Sequence, residues 1–152
     1  MAESIRFTDE LEMRLLTHFD QHWFFQLYVP TFVWVAHGHI AQLDSRVEPV
    51  FYISNAARTP TLAAGWLLRG AAEAICEEAW DTYRELVDNG ISDQLVRQIL
   101  PANLMSQGLV TWTTAELLGF VEKHREDSVH EMALIAGGYE RALNGDRNAA
   151  GD

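Results

Sequence analysis

The sequence is poor in cysteine, in lysine and in long apolar runs. Its one cysteine, Cys76, excludes an intramolecular disulfide framework and suits a reducing compartment. The most apolar stretch, residues 24–36, is interrupted by Gln26 and Pro30 and is shorter than the roughly 20 residues needed to span a bilayer. No basic segment followed by an apolar run opens the sequence, so no signal peptide is predicted. We therefore expect a cytoplasmic protein that has no membrane partner.

Acidic residues outnumber basic ones two to one. Ten arginines and one lysine, Lys123, stand against 22 acidic residues, and the formal net charge is −11. A nucleic-acid partner needs a basic face for its phosphates, so the composition argues against one. Arginine can still hold a small phosphate or carboxylate through two parallel N–H groups. The composition thus permits a local site for an anionic small molecule.

Common catalytic and nucleotide-binding motifs are missing as well. There is no Gly-x-Ser-x-Gly elbow, and Cys76 lies inside a predicted helix, where we expect it to serve in packing alone. The adjacent pair Gly137-Gly138 falls within a predicted helix rather than after a strand, so it is not a dinucleotide or triphosphate loop. The six histidines occur in pairs, whereas a metal site needs three or four converging ligands. We predict no metal site.

Periodicity in the first half of the chain predicts short elements. An acidic first turn and leucines at positions 11, 15 and 16 predict an amphipathic helix over residues 8–18, capped by Thr8. Aromatic and branched residues predict a strand over 23–29, ended by Pro30. Residues 31–41 fit either a helix or a second strand, and we favour the helix. Residues 44–62 are expected to be irregular, apart from a short strand at 50–53.

Helices dominate the second half. A long amphipathic helix is predicted over residues 62–89 and ends at Gly90, and its apolar stripe comprises Leu68, Ala72, Ile75, Ala79, Tyr83 and Leu86. Ser92 is expected to cap a short helix that ends before Pro101, and residues 104–112 are expected to be extended. Capping boxes at 113–116 and 128–131 predict two further helices. We expect one domain over residues 1–143 and a disordered tail over 144–152.

Four segments of the second half, in this order and at these separations, resemble the flavin-dependent thymidylate synthase family. They are Tyr83 to Ile91, Val96 to Pro101, Trp112 to Phe120 and Ser128 to Met132. The family has a helix ending Tyr-x-x-Leu-x-x-x-Gly-Val, an Ala-Arg-x-x-Leu-Pro turn, an Asn-x-Arg-Ser-Leu helix start and an Ala-Gln-x-Glu-Ile helix. The likeness is close over residues 72–140 and loose over residues 10–60.

The family signature, Arg-His-Arg followed after seven residues by Ser, is altered in this chain. Residues 29–33 resemble the Ala-Pro-Ile-Phe-Val that precedes it, and its best match is residues 37–47. His37 and His39 replace the two arginines, a glycine replaces the central histidine, and Val47 replaces the serine. Each lost arginine removes a charge-assisted contact of about 1.5–3 kcal/mol.

The resemblance implies both a fold and an activity. The implied fold is α+β, a small antiparallel sheet on which a long amphipathic helix and C-terminal helices pack. The implied activity is reductive methylation of dUMP to dTMP, with methylene-tetrahydrofolate as carbon donor and FAD carrying hydride from NADPH. The implied assembly is a homotetramer whose sites lie between subunits.

The resemblance also assigns roles by position. Arg97 corresponds to the nucleotide-binding arginine of the Arg-x-x-Leu-Pro turn, and either Lys123 or His124 to an arginine that polarises the pyrimidine. His22, His37 and His39 correspond to flavin-contacting positions. Asp44 and Ser45 stand where the family has residues that can bind a ribose hydroxyl, and Arg46 or Arg58 could replace a lost phosphate contact.

Each assignment has a plainer alternative. Arg97 could form an ordinary helix salt bridge with Asp93, four residues earlier, and His37 and His39 could be ordinary core or surface histidines. The altered signature is compatible with a working enzyme or with a non-catalytic member that binds a nucleotide or serves as a partner subunit. A third interpretation is a helix-rich domain whose likeness to the family is accidental.

Overall fold

The computed structural model describes residues 5–38, 49–54 and 62–150, with the side chains of 62–68 and 146–150 left out of the description. Strands and helices alternate irregularly along the described chain. In order they are β1 (Arg6–Thr8), β2 (Glu12–Phe19), β3 (His22–Pro30), α1 (Thr31–His37), β4 (Val50–Tyr52), α2 (Leu62–Asp88), α3 (Asp93–Val96), a 3-10 turn (Arg97–Ile99), β5 (Met105–Thr113), α4 (Thr114–His124) and α5 (His130–Ala150).

The described residues form two compact units. The first unit is drawn from residues 1–10, 30–32 and 43–105, and the second from 11–29, 33–42 and 106–152. Each unit therefore consists of three separate stretches of sequence, so the units alternate along the chain instead of following one another. Among the described residues, every helix is too short or too polar to span a bilayer.

The first unit is built around α2. Strand β1 pairs in parallel with β4, and Phe51 of β4 also bridges Leu104 in antiparallel fashion. One face of α2 closes this core, which contains Phe51, Cys76, Trp80, Tyr83, Val96 and Leu104. The predicted strand at 50–53 and the packing role of Cys76 are confirmed. The stripe is rotated from the prediction, because Ile75 is 62% exposed and its neighbour Cys76 is buried.

The end of α2 agrees with the sequence prediction. Gly90 has a φ of 88°, in the left-handed region that favours glycine. The Ile91 N–H donates to the Leu86 carbonyl and the Gly90 N–H to the Val87 carbonyl, which is the pattern of a Schellman motif. The last carbonyls of the helix are thereby satisfied.

The second unit contains a three-stranded sheet in the order β2-β3-β5, with β2 and β3 antiparallel. Helices α4 and α5 pack against each other, and α5 also contacts β2. A buried row on α5, formed by Met132, Ala136, Tyr139 and Leu143, supplies much of this core. Together with Val129, these residues step by three and four along the sequence, a spacing that predicts one apolar stripe. The structure confirms this stripe except at Val129, which is exposed. The predicted α+β fold with a small antiparallel sheet is confirmed.

The predicted helix over residues 8–18 is wrong. Residues 12–19 form β2, and Thr8 accepts a hydrogen bond from the backbone N–H of Glu10 rather than capping a helix. Met13 and Leu15 alternate with exposed neighbours, as in a strand, but a bulge between Leu15 and Thr17 shifts the alternation by one residue. Leu16 is the extra residue of this bulge, so Leu15 and Leu16 follow each other without the alternation of a regular strand. Together with Leu11 they give the sequence a spacing that resembles that of a helix.

Other boundaries agree with the sequence more closely. The strand predicted over 23–29 is β3, the favoured helix after Pro30 is α1, and the extended segment 104–112 is β5. The structure differs at the C-terminus, where α5 continues to Ala150 although the sequence predicts a disordered tail from residue 144. A helix propagates from a packed segment at little cost per residue, so the final turns need no apolar stripe of their own.

Three predicted helix starts have different outcomes. Thr113 accepts a hydrogen bond from the Glu116 N–H at 3.2 Å, as a capping box requires. Ser92 is the N-cap of α3 but makes no side-chain capping bond. Ser128 is the predicted cap of α5. The backbone N–H of Val129 instead donates to the carboxylate of Asp127, at 2.8 Å.

Candidate functional site

Arg97 lies where a short helix turns into extended chain. It begins the 3-10 turn directly after α3, and the backbone becomes extended at Leu100, before Pro101. Its Nη2 lies 2.7 Å from Oδ2 of Asp93, and each of the two side chains is about one third exposed. The salt bridge that the spacing suggests as the plainer alternative is therefore present.

The same carboxylate has a second partner. The hydroxyl of Tyr83, a residue of α2 whose side chain is fully buried, donates a hydrogen bond to Oδ1 of Asp93. Burial, together with the hydrogen bond to the Asp93 carboxylate, raises the pKa of Tyr83 to about 12. The phenol therefore keeps its proton at neutral pH and remains a donor to Asp93. These three side chains, Tyr83, Asp93 and Arg97, are called the arginine triad below.

His37 lies in the aromatic core of the second unit. It is 7% exposed, and its Nε2 lies 2.8 Å from the hydroxyl oxygen of Tyr139. The rings of Trp34, Trp112 and Phe120 have their centroids 4.8 to 6.1 Å from that of His37. Burial raises the pKa of Tyr139 well above its ordinary value, so its phenol also stays protonated. His37 is a core histidine, in agreement with the plainer alternative.

His124 and Lys123 are neighbours in sequence but differ in their surroundings. His124 is mostly buried, and its Nδ1 lies 2.7 Å from Oδ2 of Asp127. Its ring packs on Phe120, with centroids 4.4 Å apart. Lys123 is exposed. Since Phe120 also contacts His37, the second unit brings two of the predicted site residues, His37 and His124, against one phenylalanine.

The remaining predicted site residues form no cluster that the structure describes. His22 is exposed at the first residue of β3, opposite Phe19 in the hairpin. Four predicted binding residues lie outside the described residues, namely His39, Asp44, Ser45 and Arg46. Arg58, which could replace a lost phosphate contact, lies outside them as well. Their assignments remain predictions.

Sequence reasoning missed the polar role of two tyrosines. Tyr83 and Tyr139 both fall on predicted apolar stripes, and both turn out to be buried with the hydroxyl bonded to a candidate site residue or to its partner. A signal was available in the residue type, because a buried tyrosine usually needs a partner for its hydroxyl. The identity of that partner depends on the tertiary fold.

The described residues do not fit a flavin ring at His37. A planar isoalloxazine stacks on an open ring face, whereas the rings of the unit itself pack around His37. Of the two flavin-contacting candidates that the structure describes, His22 is exposed and His37 is buried. Within the described segments, no group of three or more His, Cys, Asp or Glu side chains could hold a metal ion.

Solved structures with this α+β fold include a nucleotide methylase. A crystal structure of the UMP/dUMP methylase PolB from Streptomyces cacaoi, bound with 5-Br UMP, superimposes with a TM-score of 0.73, 16% sequence identity and coverage of 92% of both chains. The 5-Br dUMP complex of PolB gives a TM-score of 0.60 at 20% identity, covering 80% of this chain and 65% of that one.

The family model described as thymidylate synthase complementing protein matches residues 2–142, and the chain belongs to that family. The resemblance found in the second half of the sequence is thereby confirmed, and the interpretation that the likeness is accidental is wrong. No curated protein matches the chain in sequence.

Proposed function

We propose that this chain binds a pyrimidine nucleoside monophosphate and methylates its base. The observation that carries the proposal is the arginine triad, in which Arg97 is held at the turn where the family resemblance expects a nucleotide-binding arginine. Family membership supports the reaction class, and the fold shared with a UMP/dUMP methylase supports the nucleotide. The substrate would be dUMP, with dTMP as product, or the corresponding ribonucleotide.

Arg97 would bind the nucleotide phosphate or a pyrimidine oxygen through its guanidinium. His124 or Lys123 would donate a hydrogen bond to a pyrimidine oxygen and so stabilise the charge that develops there during methylation. Of these two, His124 is the better oriented, because Asp127 fixes its Nδ1 and thereby the plane of the ring. Asp44 and Ser45 would bind the ribose, and Arg46 would bind the phosphate.

The family resemblance adds FAD, NADPH and methylene-tetrahydrofolate to this proposal. Flavin supplies hydride chemistry when it is bound. His22 and His39 are the candidate contacts for it, since His37 is enclosed by its own unit. A homotetramer and a cytoplasmic location belong to the same proposal. We also propose that residues 1–143 function as one family domain.

One preparation of the purified chain tests the proposal. We expect a flavin absorbance band, the native mass of a tetramer, and formation of dTMP or of the methylated ribonucleotide from dUMP or UMP with methylene-tetrahydrofolate and NADPH. Arg97→Lys keeps the charge but loses the planar fork, so it should raise the KM for nucleotide. A colourless protein that neither takes up FAD nor binds dUMP or UMP would contradict the proposal.

A non-catalytic role is the second candidate. The observation that favours it is that Arg97 and His124 each already have a carboxylate of the chain beside them. An incoming phosphate would have to share or displace that partner, which opposes tight binding. In this case the chain would bind nucleotide or an intact synthase subunit but form no product by itself. Product formation by the isolated chain would exclude this role.

A further inference from the structure

The arginine triad joins two segments that are separate in the sequence. Tyr83 comes from α2, whereas Asp93 and Arg97 come from α3 and the 3-10 turn that follows it. Asp93 contacts both of the others, accepting from the Tyr83 hydroxyl at Oδ1 and pairing with Arg97 at Oδ2, and the Arg97 side chain also faces the Tyr83 hydroxyl. Building on the proposed function, we propose that Tyr83 and Asp93 are positioning residues, which hold the guanidinium of Arg97 in the orientation that receives the nucleotide.

A buried third partner, Tyr83, distinguishes this arrangement from an ordinary surface ion pair, although Arg97 and Asp93 are themselves about one third exposed. An exposed pair at this spacing holds both side chains loosely and contributes little. In the triad, Oδ1 of Asp93 is bound to a hydroxyl whose ring is fully buried and packs against Trp80, with centroids 5.0 Å apart. The carboxylate is thus hydrogen-bonded to a residue of the core of the first unit. The anchored carboxylate then fixes the arginine.

The chemistry of arginine allows it to be held and to bind at once. A guanidinium carries five N–H donors in one plane, and the Asp93 contact engages it at Nη2. The Arg97 side chain is 34% exposed, so solvent and a solute can reach part of it. Holding a long side chain in one rotamer before the ligand arrives lowers the entropy cost of binding.

The cleanest test removes the Tyr83 hydroxyl and changes no charge. Calorimetric titration of the full chain with dUMP and with UMP should show that Tyr83→Phe raises Kd about three- to tenfold, the cost of freeing one long side chain. The matched control is Glu73→Gln, which breaks the exposed Arg69–Glu73 pair of α2, also with four-residue spacing. The control should leave Kd unchanged. An unchanged Kd in Tyr83→Phe would overturn the proposal.

The variant Asp93→Asn distinguishes a carboxylate that positions Arg97 from one that competes with the nucleotide for Arg97. The substitution removes a negative charge beside the anion site, which alone would tighten nucleotide binding. It also leaves only one oxygen to bridge Tyr83 and Arg97. Positioning predicts a weaker complex in Asp93→Asn and partial rescue in Asp93→Glu. Tighter binding in Asp93→Asn would show that the carboxylate competes with the ligand and would overturn the proposal.

A measurement without ligand keeps the inference separate from the proposed function. In ¹⁵N relaxation of the arginine Nε–H, assigned with Arg97→Lys, Arg97 should be ordered in the wild type and become mobile in Tyr83→Phe. Unchanged order would overturn the positioning role. A wild-type protein that binds neither dUMP nor UMP would contradict the proposed function and the claim that the triad receives a nucleotide. The relaxation data would still decide whether Tyr83 holds Arg97.

Discussion

The hydroxyl of Tyr139 on α5 meets Nε2 of His37 at the end of α1, 2.8 Å apart, across 102 positions of sequence. Both residues are buried, and Phe120 and Trp112 pack against both of them. A hydrogen bond between buried partners fixes which way the helices face each other, because the alternative leaves a polar atom unsatisfied. The pair therefore specifies the core of the second unit.

We expect Tyr139→Phe to lower the free energy of unfolding by about 1–3 kcal/mol, because Nε2 of His37 loses its buried partner. Urea unfolding of Tyr139→Phe, of His37→Phe and of the double variant measures the coupling between the two side chains. A coupling energy of about 1 kcal/mol is expected. Strictly additive effects would contradict the pairing.

Gly108 and Gly119 should respond to alanine in opposite directions. A Cβ at Gly108 would lie 2.7 Å from the ring of buried Trp34, so Gly108→Ala should cost about 1–3 kcal/mol by overpacking. Gly119 lies within α4 with open space around it, so Gly119→Ala should add up to about 1 kcal/mol through helix propensity. Thermal unfolding of both variants checks this contrast. Equal effects would be inconsistent with the close approach of Trp34.

Two helix starts offer a matched comparison of capping. Thr113 accepts a bond from the Glu116 N–H, so Thr113→Ala should destabilise the protein by about 1 kcal/mol. Ser92 occupies an N-cap without a side-chain capping bond, so Ser92→Ala should change stability by only a few tenths of a kcal/mol. Denaturant midpoints of the two variants give the comparison. A larger loss at Ser92 would reverse the assignment.

Asp127 should make the protein sensitive to acid. The hydrogen bond from His124, followed by that from the Val129 N–H, lowers the pKa of Asp127 below its ordinary value of 3.8. A lowered folded pKa adds stability that is fully present above the unfolded value and is lost as the pH falls through the folded value. We therefore expect Asp127→Asn to reduce the slope of stability against pH below about pH 4. Urea midpoints from about pH 6 to about pH 2 measure it, and identical slopes would contradict the prediction.

Local patterns predict the elements that tertiary contacts do not reorganise. The end of α2 at Gly90 follows from the residue type, and the Asp93–Arg97 pair follows from its four-residue spacing. Both features are present in the structure. The bulge in β2 is invisible to a periodicity argument, and this is why the first strand of the sheet resembles a helix in sequence. The Tyr83 hydroxyl finds Asp93 only after two helices have packed.

The candidate site follows the same division. The motif predicts the position of Arg97 at a proline-terminated turn, whereas the contact that Tyr83 makes with its partner Asp93 depends on the fold. Burial of His37 could not be separated from a surface position by sequence alone, since it ends an apolar helix in either case.

The alternation of the two units along the chain limits what truncation can yield. A fragment that contains all of the first unit, residues 1–105, also carries residues 11–29 and 33–42 of the second. In that fragment β3 would lack its neighbour β5 and would present a bare row of N–H and C=O groups. Halves of this protein made as separate polypeptides should therefore self-associate through exposed strand edges, and a gene split at one breakpoint would not encode two independent products.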